Sequence, residues 1–137
     1  MVAKLVKITT NLKKVKSTLN TIDITLDMIK SIDEIKYPTN ITKEYYEVIR
    51  ELISIILFLD CYKTYGEGVH KLLIEYLKKN YPNLNSFEVS LIKELRVKRN
   101  KISYDGLVIS PDYLARNKTH ILKIISKLKS IIKEKLN

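Results

Sequence analysis

The sequence predicts an all-α fold, an up-and-down bundle of about five helices, and three observations carry that reading. Apolar residues recur at steps of three and four over long stretches. The few prolines and glycines, three of each, fall between those stretches. Polar capping residues stand just ahead of them. With 137 residues the chain has the size of a single domain, spanning 1–137, and is long enough to bury one core.

Leu5, Ile8, Leu12, Val15, Leu19, Ile22, Leu26 and Ile29 form one unbroken seam, which predicts a long first amphipathic helix. Its regularity also suits a coiled-coil contact with a second copy. Tyr37-Pro38-Thr39-Asn40 ends that segment, because proline lacks a ladder donor and biases its predecessor away from helix. A second helix is expected over 42–62, with Tyr45, Val48, Leu52, Ile55, Ile56 and Leu59 inward; its density of apolar residues makes it the central, most buried element. Gly66-Glu67-Gly68 marks a break before a short helix over 67–79. After the loop Tyr81-Pro82-Asn83-Leu84-Asn85, either Asn85 or Ser86 caps a fourth helix with Glu88 in its first turn. Asp105-Gly106 is a turn signal beside Leu107-Val108-Ile109, a brief extended segment. Ser110-Pro111-Asp112 opens the last helix, which has a wide apolar face from Leu114 to Ile132.

Lysine and arginine number 25 against 15 acidic residues, a formal charge of +10. The excess is concentrated in the first twenty residues, in the stretch around Lys93 to Lys101, and in the last helix. Such a surface attracts polyanions, and RNA is the natural one; the competing reading is a solvated, lysine-rich face that keeps the protein soluble. Cys61 stands alone, which excludes an internal disulfide framework and a multi-cysteine metal site. The two histidines, His70 and His120, have no partner at metal spacing; His70 reads as a hydrogen-bonded residue at a helix start and His120 as a surface residue. No metal or cofactor is expected. The first residues lack the apolar run of a signal peptide, and the longest apolar stretch, 53–59, is too short to span a bilayer, so a cytoplasmic location without membrane association is expected. No glycine-rich phosphate loop and no serine-hydrolase elbow is present.

The run from Leu95 to Gly106 is the candidate site. Leu91, Leu95, Arg99 and Ile102 share a helical face, so Arg99 lies in an apolar stripe where an unpaired charge is expensive. Its partner is a carboxylate of the same fold, a carboxylate across a dimer interface, or a phosphate from a ligand, since the planar guanidinium suits all three. Asp105 is one carboxylate that could pair with Arg99 or Arg96. A purely structural account also exists, in which Lys98, Arg99 and Lys101 complement the negative end of the helix dipole.

Arg99-Asn100, followed by an aromatic at Tyr104 and by Asp105-Gly106, resembles the Arg-Asn-x-x-x-His signature of HEPN domains (higher eukaryotes and prokaryotes nucleotide-binding). The stretch from Tyr45 to Leu52, followed by that from Tyr62 to Leu77, is similar to the helical hairpin that precedes the signature. The resemblance covers roughly 5–136. It implies a homodimer whose protomers share a cleft, and a metal-independent attack of a ribose 2′-hydroxyl on the neighbouring phosphate. Carried over, Arg99 binds the phosphate, Asn100 orients or caps locally, and Tyr104 takes the position of the family's histidine. A phenol, with a reference pKa near 10, is a weak general base at neutral pH. Arg96, Lys98 and Lys101 are the expected nucleic-acid contacts. The implied function is RNA or nucleotide binding, extending to an endoribonuclease of a toxin or defence system. The alternative is a catalytically silent HEPN-like interaction module, for example the partner of a minimal nucleotidyltransferase.

Overall fold

A computed structural model describes residues 3–66 and 68–137. Within them the chain forms β1 (Lys4–Lys7), α1 (Leu12–Lys30), α2 (Pro38–Leu59), β2 (Tyr62–Tyr65), α3 (Val69–Asn80), α4 (Ser86–Asp105) and α5 (Pro111–Leu136). The architecture is a bundle of five helices, as the sequence predicts, to which a two-stranded antiparallel ribbon is added. No helix among the described residues is long and apolar enough to cross a membrane.

The ribbon corrects the first expected helix. Leu5 and Ile8 continue the apolar steps of α1, yet Lys4 pairs with Tyr65 and Lys7 with Tyr62. The competing signal is Thr9-Thr10-Asn11. Asn11 caps α1 by accepting the Lys14 N–H, and the Thr10 hydroxyl donates to the Phe58 carbonyl at 3.0 Å. Caps and β-branched residues at this point override a seam that merely happens to stay in phase. Val15, Ile22 and Ile29 carry the buried edge of α1.

Pro38 begins α2, four residues before the expected restart at Thr42. Its fixed φ and missing N–H suit the first helical turn, where the donor would be unused. The loop before it is closed by the Asp33 carboxylate, which accepts the N–H groups of Ile35 and Lys36. At the other end α2 stops at Leu59, short of Tyr62. Cys61 takes φ +66°, the one positive φ among the described non-glycine residues, and turns the chain into β2. Asp60, beside this turn, receives the hydroxyls of Tyr76 (2.7 Å) and Tyr81 (2.5 Å) and the Lys135 ammonium. One carboxylate thus ties together the end of α2, helix α3 and the end of α5.

Asn85 caps α4 with a full capping box, its side chain accepting the Glu88 N–H while Glu88 accepts the Asn85 N–H. Glu88 is only 3% exposed, and Lys127 of α5 supplies the cation that its burial requires, at 2.7 Å. Gly106, at φ +69°, ends α4, and the N–H groups of Gly106 and Leu107 both bond the Lys101 carbonyl. Residues 107–109 form no strand. Ile109 is instead buried and donates its N–H to the Thr39 hydroxyl at the start of α2. Ser110 caps α5, with Pro111 in its first turn.

Helix α2 is central. It packs against α1, α3, α4, α5 and β2, and twelve of its residues are buried. Around it, the lysines of α5 are largely engaged: Lys118 with Glu34, Lys127 with Glu88, Lys129 with Asp23 and Lys135 with Asp60. The basic face expected along the last helix is therefore in good part a set of ion pairs that tie α5 to other elements.

Candidate functional site

On the side of α2 that meets α4, Glu47 and Arg50 stand one helical turn apart. On α4, Arg96, Arg99 and Asn100 have the same kind of spacing and share one face. The Glu47 carboxylate bridges the two helices. One oxygen accepts Nε of Arg99 at 2.7 Å, and the other accepts Nε of Arg50 at 3.1 Å. Of the three partners left open for Arg99, a carboxylate of the same fold is the one present. Asp105 forms no ion pair among the described residues, which corrects its expected role.

The bridge leaves much of both guanidinium forks free. Arg99 makes a further, long contact of 3.4 Å to the Asn100 side-chain oxygen, and Arg50 reaches Glu51 only at 4.0 Å. Arg96 adds a third guanidinium. Its Nε is buried and has no hydrogen-bond partner among the described residues. An unsatisfied buried donor of this kind costs about 1–3 kcal/mol, so Arg96 is held in place at a loss to the fold.

His70, in the first turn of α3, faces the same cluster, with its ring 5.9 Å from that of Tyr46. Burial pushes its imidazole pKa down, and Arg50, Arg99 and Arg96 push it further the same way against the opposing effect of Glu47. It makes no side-chain hydrogen bond to another described residue, contrary to the expected hydrogen-bonded helix start. Tyr46 is almost wholly buried, and burial raises its phenol to about 12 despite the arginines. For Glu47, partial burial acts upward, but Arg50 and then Arg99 outweigh it and hold the carboxyl below its ordinary value.

The other expected site residues lie apart from this cluster. Tyr104 is 79% exposed at the end of α4. It is five residues beyond Arg99, which turns it roughly 140° around the helix. Lys98 sits over the Tyr113 ring at 4.6 Å, and Tyr113 in turn donates to Glu94. Lys101 is exposed. His120 is exposed as expected, and packs edge-on against Phe87. No group of three histidine, cysteine, aspartate or glutamate side chains suited to a metal occurs among the described residues.

The sequence reading of the site missed Glu47, Arg50 and His70. The signal was present: a Glu-x-x-Arg pair inside the most apolar helix of the chain requires a reason, because charges there must find partners.

No protein-family model, curated protein or solved structure matches the chain. The designations HEPN, RNA-binding protein, ribonuclease and toxin–antitoxin component, which the short motif suggested, therefore gain no support from any relative. They are set aside in favour of what is shown, a five-helix bundle of general type.

The ionic bridge gives a test of the site's construction. Glu47→Gln should lower stability by about 1–3 kcal/mol at pH 7, less than a fully buried pair because both partners keep some solvent contact. Since the carboxyl's folded pKa lies below its unfolded one, its contribution is complete above about pH 4.5 and is lost as pH falls through the folded value. Urea denaturation of parent and variant at pH 7 and pH 3.5 should therefore show a gap that narrows in acid. A gap of equal size at both values would remove charge from the explanation.

Proposed function

We propose that this chain binds a small ligand of the nucleotide class through a phosphate monoester held by Arg50, Arg96 and Arg99. The observation that carries the reading is the buried, unpartnered Nε of Arg96 beside two guanidinium groups that a single carboxylate secures. Three cations face the bridging Glu47 and, more distantly, Glu51, an excess of positive charge that a phosphate monoester, carrying about −1.5 to −2 at neutral pH, would neutralise. Arginine's fork matches two phosphate oxygens at once, and Glu47 fixes the orientation of two of the forks in advance of binding. His70, uncharged at neutral pH on this reading, is placed to donate one more hydrogen bond or to take up a proton when the dianion arrives. Binding alone is required; no bond need be broken.

The test is ligand-induced stabilisation in low salt. Millimolar inorganic phosphate and nucleoside 5′-monophosphates should raise the melting temperature of the parent protein, because a ligand that binds only the folded state stabilises it by mass action. Arg99→Ala should remove the response. A parent protein whose melting temperature is indifferent to all of these ligands, with calorimetry also silent, would sink the reading.

A further inference from the structure

Arg50 has a second exposure. Besides reaching Glu47, it lines a groove of about 260 Å³ whose walls come from α1, α2, β2 and the start of α3. Val15, Phe58, Val69 and Leu73 supply apolar lining, with Thr18, Ser54, Lys14 and Lys63 among the polar side chains. A cavity that begins at a phosphate-facing arginine and ends on hydrocarbon fits a molecule with one charged end and one apolar body.

We propose that this groove holds the ring of the ligand whose phosphate the arginines hold, and that it selects a single flat ring. The proposal rests on the phosphate reading above and narrows it. Size sets the first limit. Ligand pockets commonly occupy about 300–1,000 Å³, so a groove just below that range admits one ring and excludes a run of stacked bases. The wall sets the second, since aromatic and branched side chains favour a flat apolar face. The polar lining adds contacts for the ring edge. The Ser54 hydroxyl already donates to the Arg50 carbonyl at 3.0 Å, and the Thr18 hydroxyl donates to the Lys14 carbonyl at 2.9 Å. With their protons committed, both hydroxyls can only accept, and Glu51 on the same lining adds another acceptor. Lys14 and Lys63, on the same lining, supply donors, so the rim can meet a ring edge that carries both an amino group and a carbonyl.

Cytidine and uridine 5′-monophosphates differ at that edge by an amino group against a carbonyl, and ribose 5-phosphate carries no ring base at all. Titration calorimetry of the full chain with these three probes and inorganic phosphate tests each part. The cytidine and uridine compounds should each bind at least tenfold more tightly than ribose 5-phosphate. Thr18→Trp, which fills the groove from its rim, should bring the cytidine compound down to the ribose 5-phosphate level and leave ribose 5-phosphate unchanged; Thr64→Trp, from the β2 wall, should do the same. Equal binding of the cytidine compound and ribose 5-phosphate by the parent would overturn the groove's role while leaving the phosphate site standing, as would a preference that survives both tryptophans. If no phosphate compound binds, the phosphate site itself fails and the groove proposal falls with it.

Discussion

Arg96→Met should yield a protein that is harder to unfold and worse at holding phosphate. The buried Nε of Arg96 has no acceptor among the described residues, and methionine would fill similar space without a polar atom to leave unsatisfied. A gain of about 1–2 kcal/mol follows, visible as a higher denaturant midpoint. On the binding side, loss of a charge-assisted contact to phosphate should weaken the ligand by roughly 10- to 100-fold, corresponding to about 1.5–3 kcal/mol. The opposite signs are what make the variant informative. A residue kept for stability would lose on unfolding, whereas one kept for a ligand gives up stability until the ligand arrives. If Arg96→Met is both less stable and unchanged in phosphate affinity, Arg96 belongs to the scaffold.

Leu52→Ala should be more damaging to the fold than any change at the arginine cluster, at about 3–4 kcal/mol. Leu52 is 0% exposed near the middle of α2, the helix on which the other four pack, so the cavity it leaves has little room to collapse. Against a total stability of about 5–15 kcal/mol, such a loss lowers the melting temperature by roughly 10 °C. Leu12→Ala is the matching control. Leu12 has the same chemistry and lies on the seam read from the sequence, but it is 53% exposed. Its truncation should cost no more than about 0.5 kcal/mol. Chemical denaturation of the two variants separates them, and a Leu12→Ala loss comparable to that of Leu52→Ala would place the first turn of α1 in the core after all.

The contrast between these leucines shows where the sequence was readable. Elements whose periodicity is reinforced by caps came through: the Asn85–Glu88 box and the Ser110-Pro111 start lie where local chemistry alone places them. The density of apolar residues on α2 announced its central position. What could not be read locally depends on partners distant in sequence. Residues 4–7 become a strand because Tyr62–Tyr65 lies alongside, and nothing in their own pattern distinguishes that outcome from another helical turn. The site divides in the same way. Arg99 was legible because a charge in an apolar stripe demands a partner, but Glu47, 52 residues away in sequence, was not nameable as that partner. Tyr104 was drawn in by a motif, and its place on the helix carries it away from the arginines.

The ribbon also bears on the order in which the molecule assembles. Between β1 and β2 lie α1, α2 and their connection, so pairing Lys7 with Tyr62 closes a loop that contains the first helical hairpin. Closing so long a segment from an open chain costs entropy that four residue pairs can hardly recover, whereas the docking of α1 on α2 brings the two strand sequences close beforehand. The hairpin is therefore the precondition of the ribbon. Because β2 supplies Tyr62, Lys63 and Thr64 to the groove, the pocket wall is among the last parts of the protein to form and among the first to open.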